Sequence, residues 1–363
     1  MSIDHACWKT ESLKAGDGEF DGSLAYYDPI LKQPRLLNLN SLDSRETISG
    51  SASPDGTIYA SMDIAEDTLH IITTSKESTY PIPENSFFYD GFVSNSQLVL
   101  GVSRAIRQSY IKGVGATDQY YLLNLETGEL THRSVFLPFF EDDLRNHNLY
   151  IEYSPDLKYA IYSADDGEGN FSILYDIQNE TIVWRGRVFW GFPDGQPPVW
   201  KPDSSAVIAI FNDDGASHSE NFYEISVDGR VSKLTDLRQV LASYGSLTMI
   251  WSPAGRYLLF MTETPETPKL SSASGSVYIL DTHTHHVLNP CIAIRYGEWP
   301  IWSPDSRYLA IIPSDMTQIV IVDIENEKKF VVYKQPGIDF VDPYAKPDQS
   351  IVQLFGWLSW ELP

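Results

Sequence analysis

Residues 301–312 read IWSPDSRYLAII. The stretch has an apolar run on each side of a Ser-Pro-Asp-Ser turn, in which proline pre-sets φ and the polar residues favour the turn. Four other stretches repeat this pattern: SASPDGTIYASM (51–62), EYSPDLKYAIYS (152–163), VWKPDSSAVIAIF (199–211) and IWSPAGRYLLFM (250–261). Each copy predicts a strand, a tight turn and a second strand.

The spacing of the copies predicts one more. The prolines Pro54, Pro155, Pro202, Pro253 and Pro304 are separated by 101, 47, 51 and 51 residues. Because the first gap is about twice the others, a worn copy is expected midway, and residues 91–102, GFVSNSQLVLGV, have the pattern with asparagine in place of proline. After each copy come a polar loop, another apolar strand, a short turn and a fourth strand. Four antiparallel strands that repeat every 40–60 residues or so indicate a β-propeller blade.

The two ends of the chain are predicted to share a blade. Residues 351–360, IVQLFGWLSW, resemble an innermost strand, and residues 23–29 and 35–39 resemble the outer two strands of a blade that lacks its start. We therefore predict an all-β fold, a seven-bladed β-propeller of four-stranded antiparallel blades that is closed by a composite N-/C-terminal blade. The predicted single domain, residues 1–363, has blades at about residues 47–86, 87–148, 149–196, 197–246, 247–297, 298–350, and 351–363 together with 1–46.

The repeat core, W-S-P-D-x-R-Y-L-A, resembles the WD-like repeat of TolB-type propellers over nearly the whole chain. The resemblance implies a fold more than a function, because this family includes scaffolds, periplasmic adaptors and the non-catalytic domains of peptidases. The sequence contains no G-x-S-x-G motif, so we do not expect the peptidase domain that accompanies some related propellers.

The charge of the chain restricts its partners. Forty-nine acidic residues against 26 basic ones give a formal net charge of −23. Such a field repels nucleic-acid phosphates and anionic lipids and attracts basic proteins, so we expect a basic protein or peptide as partner, no nucleic acid and no membrane. The alternative, that the charge only keeps a tyrosine-rich protein in solution, stays open.

The cysteines and the N-terminus bear on the compartment. Cys7 and Cys291 lie far apart in the sequence, and we expect them to form neither a disulfide framework nor a metal site. The N-terminal residues MSIDHACWKTESLK lack the basic and apolar regions of a signal peptide, and no run of about 18–20 apolar residues occurs. We expect a cytoplasmic protein, unless a leader has been removed.

The loops, rather than the repeat turns, are the predicted functional elements. Loops between second and third strands, and crossings between blades, share one propeller face and are longer and more irregular than the turns, as functional loops tend to be. In this sequence the loops are acidic and the crossings carry clustered aromatic residues, a combination that suits binding of Arg or Lys side chains. The predicted partner-binding residues are Asp165, Asp166, Glu168, Asp213, Asp214, Glu141, Asp142, Asp143, Phe139, Phe140, Phe189, Trp190, Phe192, Tyr296 and Trp299.

Other interpretations of the same loops remain. Acidic loops are often only solvated, and aromatic residues in crossings often only fill the space between blades. The functional prediction is a non-enzymatic scaffold, or an inhibitor of the immunity type, that binds a basic partner. The alternative is a carbohydrate-active or lyase-like enzyme in which Glu152 and Glu298 act as acid and base at the channel mouth.

No cofactor is expected. The loops at residues 164–170 and 212–221 offer oxygen ligands to calcium, but neither has the spacing of an EF-hand. His283, His285 and His286 are interpreted as part of an exposed turn rather than as a zinc site.

Overall fold

The described part of the chain is built from β-strands, and no α-helix occurs in it. The computed structural model describes residues 2–3, 7–13, 20–28, 30–47, 50–63, 66–83, 87–101, 108–111, 115–138, 150–165, 170–187, 198–212, 220–237, 248–262, 274–295, 299–314, 318–334 and 353–359. The chain divides into two compact units. The first contains residues 1–2, 82–251 and 282–285, and the second contains residues 3–81, 252–281 and 286–363.

The strands are numbered in chain order. The first fourteen are β1 (Ser2–Ile3), β2 (Lys9–Ser12), β3 (Ser23–Asp28), β4 (Gln33–Asn38), β5 (Ser44–Glu46), β6 (Ser51–Ala52), β7 (Ile58–Asp63), β8 (Thr68–Thr73), β9 (Glu77–Pro81), β10 (Phe87–Ser94), β11 (Gln97–Gly101), β12 (Gln108–Ile111), β13 (Gly115–Asn124) and β14 (Leu130–Pro138). The next nine are β15 (Tyr150–Tyr153), β16 (Tyr159–Asp165), β17 (Asn170–Asp176), β18 (Thr181–Arg187), β19 (Val199–Trp200), β20 (Ala206–Asn212), β21 (Glu220–Ser226), β22 (Val231–Lys233) and β23 (Thr248–Trp251). The last nine are β24 (Tyr257–Thr262), β25 (Ser274–Asp281), β26 (His286–Leu288), β27 (Ala293–Arg295), β28 (Ile301–Trp302), β29 (Tyr308–Ile311), β30 (Gln318–Asp323), β31 (Lys328–Lys334) and β32 (Gln353–Leu358).

The first unit contains blades 2, 3 and 4. Blade 2 pairs β10, β11, β13 and β14 in that order, and β12 adds to the beginning of β13. Blade 3 is β15 to β18 and blade 4 is β19 to β22, each in sequence order. The worn copy predicted at residues 91–102 forms β10, a turn and β11, as expected.

The second unit contains blades 6, 7 and 1 and most of blade 5. Blade 5 has β23 to β26, with β27 paired to β25, and blade 6 has β28 to β31. Blade 1 is β6 to β9, and blade 7 runs β32, β3, β4, β5. The innermost strand β32 lies next to both β28 and β6, so blades 6, 7 and 1 are neighbours in that order.

Blade 7 is the predicted composite of the two chain ends. Strand β32 pairs antiparallel with β3, from Ser23 opposite Leu358 to Tyr27 opposite Gln353. The N-terminal segment supplies three strands rather than the two predicted, because β5 pairs with β4. The fold prediction, an all-β seven-bladed propeller with a composite blade, is confirmed. The single-domain assignment with its blade boundaries stays a prediction.

The repeat motif forms the turn between the first two strands of a blade. The backbone N–H of the fourth turn residue donates to the carbonyl of the first, and that fourth residue adopts a left-handed conformation. Its φ is 67° at Gly56, 60° at Leu157, 61° at Ser204, 70° at Gly255 and 63° at Ser306. We call the end of a blade that carries this turn its turn end, and the opposite end, with the loop between second and third strands, its loop end.

Polar residues at the ends of third strands explain another part of the repeat. Asn124 Oδ1 accepts hydrogen bonds from the backbone N–H groups of Glu126 and Thr127, at 2.9 and 3.1 Å. Asp323 Oδ1 likewise accepts from the N–H of Asn326 at 3.0 Å. Such side chains close a tight turn to the fourth strand, which is why apolar third strands end in Asp or Asn.

Aromatic stacking joins neighbouring blades within the second unit. The ring of Tyr308 in blade 6 stacks on Trp357 of blade 7, with centroids 6.1 Å apart and an interplanar angle of 13°. Tyr257 of blade 5 and Trp302 of blade 6 stack in the same way, at 6.1 Å and 9°. The guanidinium of Arg307 lies 4.7 Å from the centre of the Tyr308 ring. The aromatic residue before the turn therefore packs between blades at these positions.

The arginine of the motif is held by a buried carboxylate. Arg307 NH2 donates to Asp323 Oδ2 at 3.0 Å, and the Asp323 side chain is 5% exposed. Burial alone would raise the pKa of Asp323, but hydrogen bonds from Asn326 and Arg307 outweigh it, so the pKa lies below its ordinary value. A carboxylate with a lowered pKa stabilises the fold above the pKa of the unfolded chain and loses that contribution as the pH falls through the folded-state pKa.

Asp323→Asn is expected to lower the free energy of unfolding by about 2 kcal/mol at neutral pH, because a charge-assisted hydrogen bond is lost. The difference from the parent should shrink below about pH 4, where the carboxylate of the unfolded chain takes up a proton, and disappear below the lower pKa of the folded state. Urea unfolding at neutral and acidic pH measures both values. Glu325→Gln is the control, since that exposed partner of Arg307 should contribute less than about 1 kcal/mol. Equal stability of the parent and Asp323→Asn at neutral pH would show that the Asp323 carboxylate does not stabilise the fold.

A disulfide joins Cys7 and Cys291, which are 284 residues apart in the sequence. The expectation that the cysteines form no disulfide is wrong. The large sequence separation does not keep the two cysteines apart in the fold. Strand β2, which follows Cys7, pairs with β31 of blade 6. Cys291 lies between β26 and β27, shortly before blade 6 begins at β28. The pairing of β2 with β31 is parallel, from Lys9 opposite Lys328 to Ser12 opposite Val331.

Candidate functional site

Most of the predicted partner-binding residues lie outside the described residues. These are Asp166, Glu168, Asp213, Asp214, Glu141, Asp142, Asp143, Phe139, Phe140, Phe189, Trp190, Phe192 and Tyr296. Asp165 is described in its backbone, as the last residue of β16 opposite Asn170 of β17, which places it at a loop end. Trp299 is described fully. The role of all these residues stays a prediction.

Trp299 lies in the crossing between blades 5 and 6, two residues before the start of β28. Its side chain is 53% exposed, while the following Pro300 is buried. An exposed indole is unusual, since tryptophan is highly buried on average. Proline after it restricts the backbone of Trp299 to extended conformations, so the side chain is presented by a well-defined segment.

A pair of apolar side chains at the loop end of blade 7 was not predicted. Ile30 is 48% exposed and Leu31 is 52% exposed. Their loop is shaped by the buried Asp28, whose Oδ1 accepts hydrogen bonds from both backbone N–H groups at 2.9 and 3.0 Å. The sequence does carry a signal, because this loop reads Asp-Pro-Ile-Leu, whereas the loops at residues 164–170 and 212–221 are mostly polar.

Tyr333 of blade 6 supports the same loop from the neighbouring blade. Its hydroxyl donates to Asp28 Oδ2 at 3.4 Å, and its ring lies 5.2 Å from that of Tyr26. Burial and the neighbouring carboxylate raise the pKa of Tyr333, so the hydroxyl keeps its proton and remains a donor. The loop that carries Ile30 and Leu31 is therefore held from two blades.

Acidic residues lie at the loop end of blade 1. Glu66 is exposed, and Asp63 and Asp67 are half-buried. Asp63 Oδ1 accepts a hydrogen bond from the N–H of Glu66 at 3.2 Å. In the neighbouring blades 6, 7 and 1, the loop ends thus combine an exposed tryptophan, two exposed aliphatic side chains and carboxylates.

The turn ends of the same three blades meet one another. A Cβ added to Gly56 of blade 1 would lie 2.6 Å from Pro304 Cγ of blade 6 and 2.7 Å from the backbone nitrogen of Ser359, which follows β32. Because the turn ends meet, the loop ends of these blades share the opposite side of the second unit. We call that surface, with Trp299, Ile30, Leu31, Asp63 and Glu66, the loop face.

Polar groups at the turn ends are largely engaged with one another. A cavity of about 270 Å³ at the turn end of blade 6 is lined by Arg307, Tyr308, Asp323, Asn326, Lys328 and Phe330. Asp323 binds both Arg307 and Asn326 there. The hydroxyls of Ser53 and Ser303 donate to Asp55 and Asp305 at 2.6 and 2.5 Å. These contacts stabilise the turns and account for the repeated residues.

Carboxylates that could serve an enzyme do not form a described pair. The backbone carbonyl of Glu152 accepts a hydrogen bond from Trp200 Nε1 at 3.0 Å, and Glu298 lies outside the described residues. The fully buried Asp118 accepts a hydrogen bond from the Tyr153 hydroxyl at 2.7 Å, which is a contact between blades 2 and 3. That contact joins the third strand of one blade to the motif aromatic of the next.

The arrangement of His, Cys, Asp and Glu side chains bears on metal binding. No three His, Cys, Asp or Glu side chains come together in the described ranges in a way that could hold a metal ion. His283 and His285 are exposed, and His285 Nδ1 lies 3.2 Å from the carbonyl oxygen of Leu234. Within the same ranges, no helix is long and apolar enough to cross a bilayer.

Comparison with known proteins supports the fold. The sequence matches no protein-family model and no curated protein. Among solved structures, TolB from Acinetobacter baumannii is 16% identical over 94% of this chain and 67% of that one, with a TM-score of 0.44. Oligogalacturonate lyase from Vibrio parahaemolyticus is 14% identical over 87% of this chain and 89% of that one, with a TM-score of 0.51. At these identities the similarity concerns the fold alone.

Proposed function

We propose that this chain is a non-catalytic propeller that binds a basic protein or peptide through its loop face. The observation that carries the proposal is the exposed Trp299 on the same side as Ile30 and Leu31. Interfaces are enriched in aromatic residues at their centres, and exposed apolar groups that lie near one another mark binding surfaces. The net charge of −23 supports a partner rich in Lys or Arg.

The proposal extends to the acidic loops predicted from the sequence. The aspartates at positions 165, 166, 213 and 214 would add attraction for cationic side chains and speed association. The partner would act as the client of a scaffold or as the target of an inhibitor. A cytoplasmic location remains part of the proposal, although the disulfide favours an oxidising compartment.

The test starts from a displayed library of random peptides selected on the chain. The selected binders should be rich in Lys and Arg, and Trp299→Ala should weaken their affinity by roughly thirtyfold, the loss typical of a central tryptophan. Val231→Ala is the matched control, since Val231 is also exposed, at 44%, but follows the turn between the third and fourth strands of blade 4. Fluorescence anisotropy gives the affinities. Binders that are acidic, or equally affected by both substitutions, would contradict the proposal.

A second variant tests the charge. Replacing Asp165, Asp166, Asp213 and Asp214 by Lys should reduce the association rate of the selected basic binders, and the reduction should shrink at high salt. An unchanged rate at low salt would count against the acidic loops.

The enzyme alternative predicts turnover of uronate-containing oligosaccharides that is lost in Glu152→Gln, and the absence of such turnover would leave binding as the function.

A further inference from the structure

The N-terminal strand β2 is attached to the outer edge of blade 6 in an unusual way. Its pairing with β31 is parallel, whereas every other strand pair with a described register is antiparallel. It extends over only four residue pairs. A short edge strand of this kind contributes little stability by itself.

Ion pairs add little to the attachment of β2. Glu11 Oε1 lies 3.2 Å from Lys9 Nζ and 3.7 Å from Lys328 Nζ, and these side chains are between 30% and 79% exposed. Exposed ion pairs of this kind are screened by solvent and salt and contribute little. The covalent link between Cys7 and Cys291 therefore adds to an attachment that otherwise consists of four residue pairs, exposed ion pairs and the buried side chain of Trp8.

A lysine is buried beside this attachment. Lys329, which lies opposite Thr10 of β2, is only 9% exposed, and its Nζ donates to the carbonyl of Pro290 at 2.9 Å. Pro290 directly precedes Cys291, so the hydrogen bond and the disulfide hold the same segment against blade 6. Burial also lowers the pKa of Lys329. Neighbouring Trp8 is 5% exposed, so release of the segment would uncover both side chains.

The disulfide itself is open to solvent. Both Cys7 and Cys291 are exposed residues, so a small thiol or a reductase can reach the bond. Cys291 has a φ of 54°, and its backbone N–H donates to Asn289 Oδ1 at 2.8 Å, so a tight turn presents this cysteine to solvent.

We propose that the Cys7–Cys291 disulfide is a redox-controlled latch that holds β2 on blade 6 and keeps Lys329 covered. A dithiol reductant breaks the Sγ–Sγ bond and gives each sulfur one electron and one proton, while the reductant becomes a disulfide. Strand β2 then detaches, and the outer edge of β31 becomes free for pairing with another extended segment. In an oxidising compartment the latch is closed, and in a reducing one it is open.

The experiment measures acetylation of individual lysines by mass spectrometry, on the folded protein before and after treatment with dithiothreitol. Two free thiols per chain should appear, and acetylation of Lys329 should then accelerate by at least about tenfold, as expected for a local opening. Lys328 is the internal control, since it is already 42% exposed in its side chain and should change by less than about twofold.

Cys7→Ser separates the latch from any other effect of the reductant. In this variant Lys329 should be acetylated as fast as in the reduced parent, without dithiothreitol. Two outcomes would overturn the proposal. One is that no free thiols appear in the folded protein, and the other is that Lys329 stays protected when both thiols are free.

Discussion

Removal of residues 352–363 is expected to abolish the cooperative unfolding of the protein. The deletion removes β32, so that β3 keeps only β4 as a partner and the stack of Tyr308 on Trp357 disappears. It also opens the core that contains Leu24 and Tyr26. Loss of the Trp357 side chain alone should cost about 3–5 kcal/mol, which is comparable with the whole stability of many domains, about 5–15 kcal/mol. Thermal unfolding followed by circular dichroism measures the effect.

Rescue in trans provides the control for this deletion. A synthetic peptide of residues 351–363, added in excess, should restore a cooperative transition by pairing with β3, and the midpoint should rise with peptide concentration. A peptide in which Trp357 is replaced by Ala should rescue poorly. A truncated protein with the melting temperature of the parent would show that the composite blade is not needed for stability.

Gly56→Ala is expected to lower the free energy of unfolding by about 3–4 kcal/mol, from overpacking together with the left-handed backbone. The added Cβ would lie 2.6 Å from Pro304 Cγ, 2.7 Å from Ser359 N and 2.9 Å from the carbonyl oxygen of Trp357. Two of these three atoms belong to the backbone around the end of β32 and cannot move without disturbing blade 7. Urea unfolding of the purified variant measures the change.

Gly255→Ala is the control for the energetic cost of placing a side chain on a left-handed backbone. Gly255 occupies the same turn position in blade 5, with a φ of 70°, and its substitution should cost about 1 kcal/mol. The left-handed conformation alone does not exclude a side chain, because Leu157, Ser204 and Ser306 occupy this position in other blades. Equal destabilisation by the two substitutions would show that the close approach at Gly56 is unimportant.

The repeat made most of the fold predictable. Each motif combines a proline-containing turn with apolar β-rich runs, and both signals are local, so they are visible in the sequence. Spacing and pattern together indicate the worn copy around Asn95, and the resemblance of residues 351–360 to an innermost strand indicates the strand with Trp357. Even the arginine and tyrosine of the motif have a physical reason, since Arg307 lies over Tyr308 and binds Asp323.

Features without a local signal were missed. Strands β2 and β5 read KTES and SRE, which are polar and short, and they form because an edge of a sheet is available nearby. The bond between Cys7 and Cys291 depends on the same long-range arrangement. Such pairings are decided by tertiary structure and have no hydrophobic periodicity to reveal them.

The candidate site is only partly visible in the sequence. Trp299 stands in an aromatic-rich crossing and is 53% exposed, and its role in binding stays a prediction. Ile30 and Leu31 follow Asp-Pro in a loop that lacks the acidic runs of residues 164–170 and 212–221, so a pattern of acidic loops does not reveal them.

Hydrogen exchange with and without a selected basic peptide tests the central claim most directly. If the loop face binds the partner, backbone amides of residues 28–33 and 63–68 should exchange more slowly in the complex. Amides of the turn at residues 302–309 should be unchanged. Protection confined to the Ser-Pro turns, with no change at the loop ends, would contradict the account.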